Sequence, residues 1–166
     1  MAHLSTARGA ELVGARFDDL NGSTAWGSLL RWQKTLFVAC LSLIVADDFR
    51  ISLGDVFGRY WPDTWTHDNP SLIGTGTYGF HPFQRGDDVG SFPSGHAARI
   101  LAFATVWLIA MPRSRTVQVV VIILSASMLV SLVAMNYHFV SDVIAGGVLG
   151  GIVATYAAHL ARLQIP

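Results

Sequence analysis

An all-α, integral-membrane helical bundle of about four spans, with one long extracytoplasmic loop, is the fold class this sequence predicts. Three observations predict it. Of the 166 residues, 52% are apolar and only 13% charged, about half the charge of an ordinary soluble domain. Mean hydropathy is +0.46. Long stretches carry no Asp, Glu, Lys or Arg at all. Eleven Lys+Arg balance eleven Asp+Glu, which argues against a basic nucleic-acid binder and against a disordered chain. The single cysteine, Cys40, cannot close an internal disulfide.

Residues 1–25 form a polar N-terminal segment, in which Ala10, Val13, Phe17 and Leu20 recur at the spacing of an amphipathic surface helix. Residues 26–166 form the membrane domain. Crossing about 30 Å of hydrocarbon takes roughly 20 helical residues. The first span is Trp26–Ala46, with Arg31 and Lys34 snorkelling from its first half. Residues 47–93 come next, as a loop rich in aromatics and turn formers. Ser94–Pro112 is the second span, interrupted only by His96 and Arg99. The third lies in the 26 uncharged residues Thr116–Ser141, and the fourth in the 19 uncharged residues Val143–Ala161. In the last span Gly146, Gly147, Gly150 and Gly151 make two overlapping pairs of small residues four apart, a helix-packing pattern.

Charge orients these spans. Arg8, Arg16, Arg31, Lys34, Arg113, Arg115 and Arg162 share one face with Glu11, Asp18 and Asp19, a net +4. The other face sets four arginines against eight aspartates, a net −4. The positive-inside rule places the first face, with both termini, in the cytoplasm. An inner or plasma membrane protein is expected.

Ionisable groups at span boundaries are the candidates for chemistry. Pro93-Ser94-Gly95-His96 opens a helix, and a helix N-terminus with Ser and Gly offers free N–H groups to an anion. His138 and Asp142 are four apart, one helical turn, so a carboxylate can orient an imidazole. Both motifs fall on the extracytoplasmic face. Two histidines, an aspartate and a helix N-terminus there point to phosphoryl chemistry. A zinc site built from His81, His96, His138 and Asp142 is the competing reading. It is disfavoured because no His-x-x-x-His pair is present and because a helix N-terminus suits an anion.

These residues resemble the type 2 phosphatidic acid phosphatase superfamily, which includes lipid phosphate phosphatases and vanadium haloperoxidases. Pro93-Ser94-Gly95-His96 matches the second motif in full, and Ser131, His138 and Asp142 match the third in register. Pro62 takes the place of the proline that closes the first motif. The resemblance runs from about residue 35 to 162 in the family's motif order. It implies that His138 attacks phosphorus to form a phosphohistidine, with Asp142 orienting its ring. It further implies that His96 acts as acid and then base, and that Ser94 and the Gly95 amide hold the phosphoryl oxygens. No metal or other cofactor is implied.

Three family cations are missing. Gly54 stands in the place of the first-motif lysine, Trp61 in that of its arginine, and Leu132 in that of the third-motif arginine. Arg59 and Arg85 are the expected phosphate-binding substitutes, with Arg50 and Arg99 as further candidates on the same face. The expected activity is hydrolysis of a lipid phosphomonoester or diphosphate. Phosphotransfer to another hydroxyl, or a degenerate site that only binds anionic lipid, are the alternatives. The expected partners are the lipid phosphate and the bilayer. Because family members usually have six spans, a compact subfamily or a homodimer that replaces the lost packing surface would both fit.

Overall fold

The computed structural model describes residues 29–62, 79–84, 86 and 89–163. The N-terminal segment 1–25 lies outside them, as does Arg85. The chain divides into two compact units, residues 1–34 and 35–166. In the first, the described residues form the opening turn of a helix, where the Leu30 amide donates to Gln33 Oε1 at 2.8 Å. The second holds every motif residue.

Among the described residues the structure is helical, with no strand beyond two isolated bridges. Helix α1 is Arg31–Phe57, α2 Gly95–Ala110, α3 Arg115–Ala134 and α4 Val140–Leu160. Helix α1 corrects the expected loop start: residues 47–57 are helical, not loop. Charged residues end a membrane span, but the backbone hydrogen bonds that define a helix are indifferent to them. Termination falls to Gly58, whose φ of 55° suits the left-handed end of a helix and whose amide still donates to Gly54 O at 2.9 Å.

Helix α2 begins as its sequence predicts. Ser94 has extended dihedrals and accepts from the Ala97 amide at 3.3 Å, capping one of the free first-turn donors. Ser114 caps α3 in the same way, accepting from Val117 N at 3.4 Å. The uncharged stretch 116–141 is not one helix, because α3 stops at Ala134. Asn136 turns the chain with a φ of 59°, and the Leu132 carbonyl accepts from the amides of Tyr137 and His138 at 3.0 and 3.2 Å. His138 therefore precedes α4, while Asp142 lies in its first turn.

Helix α2 packs most extensively on α4. A Cβ at Gly146 would lie 2.2 Å from Ser94 O, and one at Gly150 would lie 2.2 Å from Ala98 O. Backbone meets backbone there, with Ala97, Ala98 and Ala102 fully buried on the α2 side. Of the other glycines, Gly147 faces the Leu101 side chain and Gly151 faces open space, so one of the two small-residue pairs carries the contact.

Helices α3 and α4 are long and apolar enough to cross a membrane. Only 11% of the apolar window of α3 and 33% of that of α4 is buried within the protein. Val119, Ile122, Ile123, Val130, Ile144, Val148 and Ile152 remain exposed. The core helix of a soluble protein hides such residues, so this pattern is consistent with a helical membrane protein. Helix α2 is apolar but has 16 residues, about 24 Å of rise.

Candidate active site

The glycine contact between α2 and α4 builds the site. It brings the first turn of α4 against the start of α2, where the Ser94 amide donates to the Asp142 carbonyl at 2.9 Å. The Pro-Ser-Gly-His turn and the His138–Asp142 pair, 42 residues apart in the chain, thus become neighbours. The His96 and His138 ring centroids are 6.1 Å apart.

Asp142 is wholly buried, and its carboxylate is saturated with donors. Oδ1 accepts from Arg59 Nη1 and from Ser141 Oγ, the latter at 3.4 Å. Oδ2 accepts from Ser91 Oγ and, at 3.3 Å, from the Phe139 amide. A buried carboxylate is tolerable only when its lone pairs are met in this way. The loop after α1 supplies two of these donors together, because the Arg59 carbonyl accepts from the Gly90 and Ser91 amides at 2.8 and 3.0 Å. Arg59 Nη1 also donates to Ser141 Oγ at 2.7 Å, and its guanidinium lies 3.9 Å over the Phe139 ring. Sequence reasoning missed Ser91, for which no local signal exists.

His138 is buried at 2% exposure, and neither of its ring nitrogens has a hydrogen-bond partner among the described residues. Nδ1 faces Asp142 Oδ2 at 3.8 Å, an ion-pair distance rather than a hydrogen bond. The helical one-turn relation expected for the pair is absent, since His138 lies in the preceding turn. The Trp61 ring packs on the imidazole at 4.8 Å between centroids, and Asn136 Nδ2 donates to Pro62 O at 3.3 Å, docking this part of the loop on the turn.

The three positions that lack the family's cations are all occupied by packing. Trp61 lies against His138. Leu132 is buried with Ala97 and Val143. Gly54 is buried, and a Cβ there would meet Phe92 O at 3.7 Å. Of the expected substitutes, Arg59 comes to the site but through Asp142, and Arg85 lies outside the described residues. Arg99 Nε donates to Gly95 O at 3.2 Å and pairs with Asp47 at 3.7 Å. Among the described residues no three His, Cys, Asp or Glu side chains group as a metal site. His81 instead stacks edge-on to Tyr60 at 5.7 Å.

A cavity of about 330 Å³ adjoins His96, walled by Met128, Ser131, Leu132, Met135 and Tyr137. An acid-base side chain beside a largely apolar recess can serve a reaction whose leaving group is greasy.

No curated protein and no solved structure matches the chain significantly. The family model of the PAP2 superfamily matches residues 35–165, from the second turn of α1 to beyond the end of α4. Both histidines, Ser94, Gly95 and Asp142 fall inside that match, and the chain belongs to the PAP2 superfamily, a family associated with phosphatase-type activity.

Proposed function

We propose that this protein is a membrane phosphatase that hydrolyses a lipid phosphomonoester or diphosphate through a phosphohistidine on His138. The observation that carries the reading is the buried imidazole of His138, with no hydrogen bond at either nitrogen, set near the Asp142 carboxylate and His96. In the first step the His138 Nε2 lone pair forms a bond to phosphorus, and the bond from phosphorus to the lipid oxygen breaks. His96 gives its proton to that oxygen, so a neutral alcohol leaves (or, from a diphosphate, a monophosphate). Asp142 stabilises the positive charge that develops on the imidazole. In the second step His96 takes a proton from water as the water oxygen attacks phosphorus. Inorganic phosphate leaves and the imidazole is restored. Ser94 and the first-turn amides of α2 hold the phosphoryl oxygens as they gain charge.

The apolar recess beside His96 supports a lipid leaving group. Charge asymmetry and the aromatic loop support four spans, cytoplasmic termini and a site on the extracytoplasmic face. The scheme draws on no metal. The test is phosphate release from phosphatidic acid and from a polyprenyl diphosphate by protein purified in detergent, with chelator present. Release that disappears in His138→Ala and persists with chelator is expected. Release unchanged by His138→Ala would overturn the mechanism.

A further inference from the structure

We infer that Arg50, a residue outside the family's motifs, is the phosphate-binding cation of this site. The inference rests on the reading of the α2 N-terminus as the phosphate cradle. A phosphate dianion there meets the first-turn amides and a helix dipole worth only about half a charge. In a partly dry site the remaining charge must be met by a cation, or binding costs several kcal/mol. Arg59 is committed to Asp142, and the three motif positions are apolar and packed.

Arg50 sits on the cradle itself. Its Nε donates to Pro93 O at 3.3 Å and its Nη2 to Gly90 O at 2.8 Å. Both acceptors are neutral carbonyls. They orient the guanidinium without cancelling its charge, and Arg50 has no ion pair within 4.0 Å among the described residues. Nη1 is left unused by these bonds. Glycine at position 95 lets the group lie close: a Cβ there would stand 3.0 Å from Arg50 Nε and 3.2 Å from its Cδ, and the arginine would have to give by a few tenths of an ångström. Arg50 lies four residues before Gly54 on α1, one helical turn from the position where the resembling family carries its lysine. A long side chain reaching from one turn away stands in for the cation that Gly54 does not supply. The second, independent pointer to an anion is His138, buried beside the same turn with Nδ1 facing Asp142 and Nε2 without a hydrogen bond.

The test is calorimetric titration of detergent-purified protein with orthovanadate. Arg50→Gln keeps a donor in the place of Nε, for the Pro93 carbonyl, but removes the charge, and at least a tenfold loss of affinity is expected. Arg50→Lys restores the charge and is expected to regain most of the affinity. Gly95→Ala retains its amide and favours the helix, so it folds, and its methyl crowds the guanidinium by only a few tenths of an ångström; a smaller loss than in Arg50→Gln is expected. Wild-type affinity in Arg50→Gln overturns the assignment, as does a lysine variant no better than glutamine. Absence of orthovanadate binding by the wild-type protein would instead overturn the phosphate reading of the whole site, and this assignment with it.

Discussion

Asp142 makes more hydrogen bonds to the protein than the histidine it is expected to orient. Arg59, Ser91, Ser141 and the Phe139 amide hold its carboxylate, while His138 Nδ1 stays at 3.8 Å. Removing one member of a buried ion pair leaves the other charge unmet. Arg59→Met is therefore expected to cost about 3 kcal/mol of stability. Adding Asp142→Asn removes the stranded charge and is expected to recover most of that stability, but to abolish phosphate release. Thermal unfolding in detergent alongside the phosphate assay checks both. Ser91→Ala takes one donor of several, so about 1–2 kcal/mol is expected on the same measurement. The spacing of His138 and Asp142 was readable in the sequence because it is local. Their supporting donors were not, since Ser91 and Arg59 lie 51 and 83 residues away along the chain.

Between elements, the decisive contact is glycine against backbone. Gly146 meets the Ser94 carbonyl, in the turn that opens α2, and nothing flexible can yield there. Gly146→Ala is expected to cost about 3 kcal/mol through overpacking and to abolish phosphate release by parting α4 from α2. Gly151 faces open space, so Gly151→Ala is expected to leave stability unchanged or raise it by up to about 1 kcal/mol. Comparing the melting temperatures and activities of the two variants checks the contact. Composition told that small residues four apart favour packing, but not which of two overlapping pairs is used. That choice depends on the rotation of α4 about its axis, and the rotation is set by the partner's surface. Likewise, runs without charge located the helices but not their ends. Helix α1 continues through Asp47, Asp48 and Arg50, and that extra length is what carries Arg50 to the start of α2.

At the scale of the molecule, charge asymmetry predicts the orientation in the bilayer, and one native cysteine makes it testable. In a Cys40→Ser background, Gln84→Cys is expected to react with an impermeant maleimide in intact cells, and Pro112→Cys only after permeabilisation. The reverse pattern would overturn the orientation. What the sequence by itself determined was the helical class, the apolar character and the two motifs. Each of these is written in local spacing, which backbone hydrogen bonding and hydropathy translate directly. The tertiary structure alone decided which groups meet: Ser91 and Arg59 on Asp142, Trp61 on His138, and Arg50 on the Pro-Ser-Gly turn. Such meetings are set by how closely two helices approach and where a long loop is tied down. Those distances arise from packing among residues far apart in the chain, which no local pattern encodes.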